Sequence, residues 1–318
     1  MKKAKKIAIL GAGNVGATIA YTLTIDKTAS EIVLIDINKD KALGEAMDIL
    51  QGTAFAAPIN IYAGEYEDAA GSDIVIVTMG AGRKPGMTRI DLAKSNVELV
   101  KEVIPKIEAI CPDAVYIIVS NPVDIITYTF VKHAKILKPH QIIGSGTTLD
   151  STRLRTLIGA HVGLSPKDVN AYTLGEHGDS IVVPWSLITI AGMPMGSYCT
   201  GTCHRHNGCG KVELKEIEDD VRTAGARVIS AKGATYYAIA MSVRLICEMV
   251  IRDTGGILTV SSGVGGAYGL PDVCLSLPFV LGAEGIRKMI KPPLDEDEQA
   301  ALMRSGQTLK EVIEEIGI

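Results

Sequence analysis

Four short stretches of this chain set chemically capable residues at suggestive spacings. "GAGNVG" places Gly11, Gly13 and Gly16 directly after the apolar run "KIAIL" and at the start of a helical pattern. In that setting Gly11 permits a tight turn, Gly13 lets a pyrophosphate approach the backbone, and Gly16 lets helix and strand pack closely. The helix N-terminus would then receive the phosphates. Asp36, twenty residues after Gly16, closes the next apolar run. A carboxylate there accepts both ribose hydroxyls of NAD and repels the extra phosphate of NADP. "LGEHGDS" holds His177, "TTLDSTRLR" holds Asp150 and Arg153 three apart on one face of a helix start, and "VSNPVD" holds Asn121. Histidine titrates near neutral pH and suits proton transfer. "MGAGRKPGMTR" gathers Arg83, Lys84 and Arg89 among Gly80, Gly82 and Gly86. Basic residues on glycine hinges read as a lid that closes on an anion and expels water.

The elements that must position these residues follow from the apolar pattern. Residues 6–10, 31–35, 59–63, 73–78, 114–119 and 141–144 are short, β-branched and bounded by Gly, Pro or Asp, as buried strands are. Helical patterns at 15–24, 39–50, 92–110 and 123–135 separate most of them. This alternation predicts an α/β fold with a doubly wound parallel Rossmann sheet over residues 1–144. Asn121 then follows the carboxyl end of the fifth strand, where such sheets bind ligands. Beyond residue 145 the rhythm changes, and an α+β catalytic domain is expected over 145–318. It reads as a strand pair ("DVNAYTLG", "SIVVPWSLITIAG"), one long helical stretch 213–252, a glycine-rich antiparallel meander and a closing amphipathic helix.

Length and composition bound the rest. The 318 residues suffice for two packed domains, and 47% apolar with 21% charged residues is ordinary for a globular enzyme. A net charge of −4 gives no reason to expect nucleic acid. No apolar run reaches membrane-spanning length, and "MKKAKK" followed by "IAIL" is too short for a signal core. Six cysteines in a chain this long do not make a disulfide framework, so a reducing cytoplasm is expected. "CTGTCHRHNGCG" gathers Cys199, Cys203, His204, His206 and Cys209. Its spacing fits no paired zinc knuckle, so it reads first as a surface loop, with a bound zinc or a reversible disulfide as the alternatives, and no catalytic metal is expected.

Taken together, "GAGNVG", "RKPGMTRIDL", "VSNPVD", "TTLDSTRLR" and "GEHGDS" resemble the lactate/malate dehydrogenase family, in motif order and approximate spacing, from about residue 6 to the C-terminal helix. The resemblance implies hydride transfer between nicotinamide and C2 of a small L-2-hydroxy acid. It makes His177 the proton-transfer group, held by Asp150. Arg153 would grip the substrate C1 carboxylate, Arg89 would polarise the carbonyl, and Asn121 would bond that oxygen or the nicotinamide ribose. NAD would lie along Gly11, Gly13, Asn14, Val15, Gly16 and Asp36, with Asn96, Val119 and Asn121 from later segments. A homotetramer or homodimer is implied.

Substrate choice draws on conflicting residues. Arg83, six before Arg89, sits where family members that act on oxaloacetate carry arginine. On that contact the expectation is reduction of oxaloacetate to L-malate. The alternative, pyruvate to L-lactate, is favoured by "VSNPVDIITY", "GSGTTLDSTRLR", "GEHGDS" and Thr235. Many bacterial lactate-forming relatives bind fructose 1,6-bisphosphate through an arginine and a histidine. Arg155 matches the arginine, but Asn170 stands at the histidine position, so such activation is not expected. Two other classes compete. A manganese-dependent NAD glycosidase would have a longer chain, and an NAD-binding sensor would lack the proton-transfer set.

Overall fold

The computed structural model describes residues 5–56, 58–80, 88–201 and 211–318. In the first half, strands β1 (Lys6–Leu10), β2 (Glu31–Ile35), β3 (Asn60–Ala63), β4 (Ile74–Val77), β5 (Val115–Ile118) and β6 (Ile142–Gly144) alternate with helices. The helices are α1 (Asn14–Asp26), α2 (Lys39–Gly52), α3 (Arg89–Ile110) and α4 (Val123–His133). The strands pair in parallel in the spatial order β3-β2-β1-β4-β5-β6. Connections on both faces bury the strands on both sides, which explains their unbroken Ile/Val/Leu runs. β4 and β5 are buried at every position. The order of the strands reverses between β1 and β4. Loops leaving their carboxyl ends therefore diverge and open a crevice there.

The second half contains α5 (Thr148–Val162), β7 (Val169–Asn170), β8 (Thr189–Ile190), β9 (Met193–Pro194), α6 (Met195–Gly201), α7 (Lys211–Lys232), α8 (Tyr237–Arg252), β10 (Ile257–Gly263), β11 (Cys274–Gly282), β12 (Gly285–Met289) and α9 (Glu296–Ile316). The expected antiparallel meander is β10-β11-β12. It joins the sheet of the first half. β10 pairs antiparallel with β6 at Ser261 and Gly144, extending the parallel sheet to nine strands. The expected strand pair is reduced to a small three-stranded sheet, β7-β8-β9, and one bridge between Leu174 and Val182.

The expected single helix over 213–252 is two helices. The break falls at Gly233, whose φ of +86° lies in the left-handed region that glycine tolerates. Thr235 sits in the resulting gap. The Lys232 ammonium packs over the rings of Tyr236 and Tyr237, 3.4 and 4.0 Å from their centroids, and ties the gap to the end of α7.

Candidate active site

The glycine turn is shaped as the sequence requires. Gly11 N–H donates to Ile35 O at 2.7 Å, and the Thr78 hydroxyl donates to Gly11 O at 2.9 Å. A Cβ on Gly16 would lie 1.9 Å from Gly11 O, so no side chain fits between α1 and the turn. A Cβ on Gly13 would meet nothing within 4 Å, so the space in front of it is open. α1 begins there with no side-chain cap and no acidic residue in its first turn. Its free N–H groups and bare backbone fit a pyrophosphate. Asp36 accepts from Ala12 N–H at 2.6 Å and from Asn38 N–H at 2.8 Å, which fixes its carboxylate beside the turn. Asn14 is exposed at the helix start, and Val15 packs against the core behind it.

Across the crevice, Asn96 is buried on α3 and its amide donates to Asn121 O at 2.8 Å. That bond joins α3 to the loop after β5. Val119 is buried at the start of this loop, and Asn121 is exposed. The expected cofactor residues thus come from three connections at the carboxyl ends of the strands and from α3.

The expected proton-transfer cluster comes from two segments of the second half. α5 carries the buried Asp150 in its first turn. One carboxylate oxygen meets His177 Nδ1 at 2.5 Å, and the other accepts from Arg153 Nη1 at 2.8 Å. Nδ1 is therefore engaged, which leaves Nε2 for exchange with a substrate. Burial opposes ionisation of Asp150, but the charges and hydrogen bonds of His177 and Arg153 hold its carboxyl below the usual range. Burial likewise opposes charge on His177. The Asp150 carboxylate, assisted by Asp124, overcomes burial and Arg153 and raises the imidazole above its ordinary value.

A buried hydroxyl network fixes the start of α5. Thr147 donates through Oγ1 to Thr173 O at 2.7 Å and through its N–H to Ser276 Oγ at 2.9 Å. Ser151 Oγ accepts from Thr173 N–H at 3.0 Å and lies 2.9 Å from Thr259 Oγ1. These bonds tie α5 to β10, β11 and the segment leading to His177. Sequence reading passed over these hydroxyls, because no local spacing marks them. It also passed over Asp124 on α4, whose Oδ2 accepts from His177 N–H at 2.8 Å.

The remaining expected residues are less joined. Thr235 is half-buried, and among the described residues no hydrogen bond links it to Asp150, Arg153 or His177. α7 approaches the cluster instead at Gly225, where a Cβ would lie 3.7 Å from the Arg153 guanidinium. Arg89 opens α3, behind a capping box in which Thr88 and Asp91 exchange hydrogen bonds. Arg83 and Lys84 lie outside the described residues, as do Cys203, His204, His206 and Cys209. Cys199 is buried on α6.

An anion-receptive turn on a doubly wound sheet, together with an Asp–His–Arg cluster in the same chain, fits a nicotinamide-dependent oxidoreductase. Residues 5–144 match the lactate/malate dehydrogenase NAD binding domain, and residues 147–317 match the lactate/malate dehydrogenase alpha/beta C-terminal domain. The chain belongs to the lactate/malate dehydrogenase family, and its cofactor is NAD(H).

It is 47% identical to an L-lactate dehydrogenase of Thermoanaerobacter sp. (strain X514) over 314 residues, covering 98% of this chain and 99% of the relative. It is 44% identical to L-lactate dehydrogenase 1 of Clostridium acetobutylicum over 316 residues, covering 99% of this chain and 100% of the relative. Among solved structures, it superposes on the ligand-bound minor L-lactate dehydrogenase of Enterococcus mundtii with a TM-score of 0.94. That structure shares 36% identity, with 99% of each chain covered. These relatives overturn the expectation of malate formation from Arg83. That expectation assumed a guanidinium enclosed against the substrate. A long arginine side chain on a loop can carry its charge to solvent, so its type alone does not fix what it faces.

Proposed function

We propose that this chain is an L-lactate dehydrogenase, interconverting pyruvate and L-lactate with NAD(H). The observation that carries the substrate choice is the full-length similarity to L-lactate dehydrogenases at 42–47% identity. NADH, held along Gly11, Gly13, Gly16 and Asp36, would supply the hydride for pyruvate C2. His177, protonated, gives its Nε2 proton to the carbonyl oxygen, and the neutral imidazole is left bonded to Asp150. Asp150 keeps the ring in one tautomer and stabilises its charged form, as the 2.5 Å contact supports. Arg153, held by Asp150 through Nη1, offers its other donors to the substrate carboxylate. Arg89 polarises the carbonyl, Asn121 bonds the same oxygen or the nicotinamide ribose, and Thr235 borders the methyl group.

NADH consumption with pyruvate, with oxaloacetate and with neither tests this reading. Pyruvate should give the higher kcat/KM, and faster turnover of oxaloacetate would refute the assignment. We also infer a homodimer or homotetramer. Exposed Leu43 and Met47 on α2 and Tyr237 and Met241 on α8 support it, since apolar side chains of this size favour burial against another copy. Sedimentation velocity checks it. A reducing cytoplasm accords with free thiols at Cys111, Cys199, Cys247 and Cys274. Among the described residues, no helix is long and apolar enough to cross a membrane.

A further inference from the structure

Asp150 is not the sole carboxylate that grips His177. Asp124, in the first turn of α4, is buried to 2% exposure and accepts the His177 main-chain N–H at 2.8 Å. Among the described residues, its second oxygen has no hydrogen-bond partner, and neither does the neighbouring Ser261 Oγ on β10, which is fully buried. A buried carboxylate with one free oxygen is costly unless that oxygen serves a purpose or takes a proton. Here either species has a use. Ionised, Asp124 can accept from Ser261. Protonated, it can donate to the same hydroxyl and still receive the His177 N–H.

The groups facing Asp124 come from three other elements. His177 and Glu176 approach from the turn after β7, Ser261 from β10, and the buried Cys274 from β11. Asp150 and Arg153 of α5 reach it only through His177. Burial pushes the Asp124 carboxyl up to about 7, with Ser261 and His177 restraining the rise and Glu176 adding to it. The charge of Asp124 and that of the His177 imidazole therefore act on one another.

We propose that Asp124 is a positioning residue that anchors the His177 main chain and, through its own charge, tunes the basicity of the imidazole. Asp150 sets the ring, and Asp124 sets the backbone beneath it. The charge on Asp124 favours the imidazolium, so its loss makes His177 a weaker base. The inference rests on reading His177 as the proton-transfer group.

The test is NMR titration of the His177 ring in the full-length chain, with Asp124→Asn and Asp124→Ala beside the unmodified protein. Asparagine keeps an acceptor for the His177 N–H and removes the charge. Its His177 midpoint should move to lower pH by about half a pH unit, and pyruvate-reduction kcat/KM on the alkaline limb should fall about threefold. Asp124→Ala also releases the main chain, and kcat should fall about a further tenfold. An unmoved His177 midpoint in folded Asp124→Asn overturns the tuning, and equal kcat in the two variants overturns the anchoring. If either variant fails to fold, the ¹³C-labelled Asp124 carboxyl and the His177 ring, titrated together in the unmodified chain, decide: a deflection of each curve at the other's midpoint supports the proposal, and two independent single-step curves overturn it. The ring titration needs no substrate. A chain that fails on pyruvate but shows the shift refutes the substrate reading alone.

Discussion

The two halves of this molecule build their sites from different materials. The first half offers mostly backbone to the proposed pyrophosphate site: a bare Gly13, a tightly packed Gly16 and uncapped N–H groups at the start of α1, with the Asp36 carboxylate beside them. The second half offers side chains to the proposed proton transfer, with Asp150, Arg153 and His177 joined at 2.5 and 2.8 Å. Backbone recognition of a pyrophosphate tolerates no added atoms and depends little on tuned side-chain charge. Side-chain catalysis depends on charges that tune one another. Damage to one half should therefore show as lost binding, and damage to the other as lost turnover or a shifted pH profile.

The largest break in that comparison is His177→Asn. Turnover should drop by about 10²–10⁴-fold, the usual worth of a general acid–base group, while NADH affinity by fluorescence titration stays near that of the unmodified chain. Near-normal turnover would remove His177 from the mechanism.

Two glycine substitutions sharpen the cofactor side. Gly16→Ala forces a Cβ against Gly11 O, and should lower stability by about 1–3 kcal/mol and weaken NADH binding. Gly13→Ala has room in the free chain, so Tm should hold while NADH affinity falls. Thermal melts and titration on both variants separate the outcomes. Unchanged NADH affinity in Gly13→Ala would place the pyrophosphate elsewhere.

A pH profile probes the catalytic side more gently. The His177 imidazole is raised above 6.5, so its proton is retained past that pH. Pyruvate reduction consumes that proton and should decline as pH climbs through the raised midpoint. Lactate oxidation needs the neutral ring and should rise over the same window. Asp150→Asn removes the strongest raising influence, so both limbs should move to lower pH. Limbs that stay in place would detach Asp150 from the titration.

The smallest effect concerns regulation. Arg155 and Asn170 line one cavity of about 1180 Å³ along α5, α7 and α8, and Arg155 Nε is already bound to Ala171 O at 2.7 Å. Asparagine brings no positive charge to a phosphate. Pyruvate KM should change less than about twofold with fructose 1,6-bisphosphate, as a small change in binding energy would give. A large drop in KM would show a second phosphate-binding group.

The parallel sheet was legible in the sequence, because strands buried on both faces write continuous β-branched runs such as "IVIV" at 74–77. The glycine turn was legible because its three constraints fall within six residues. The junction of β10 with β6 was not, since pairing between residues 144 and 261 leaves no local pattern. Gly233 was read through as a helical position, although its left-handed φ ends α7. Asp124 was hidden for another reason. An acidic residue in a helix's first turn is common for its dipole alone, and only the folded chain shows His177 above it.

The β6–β10 pairing also bears on how the chain can be cut and how it can move. A fragment ending at residue 144 would bare one edge of β6 as an unprotected row of peptide groups, an invitation to aggregate. Because one hydrogen-bonded sheet spans both halves, they cannot open and shut like jaws. Any closure over substrate must come from connections at the rim, and the sheet itself serves as a fixed floor for each turnover.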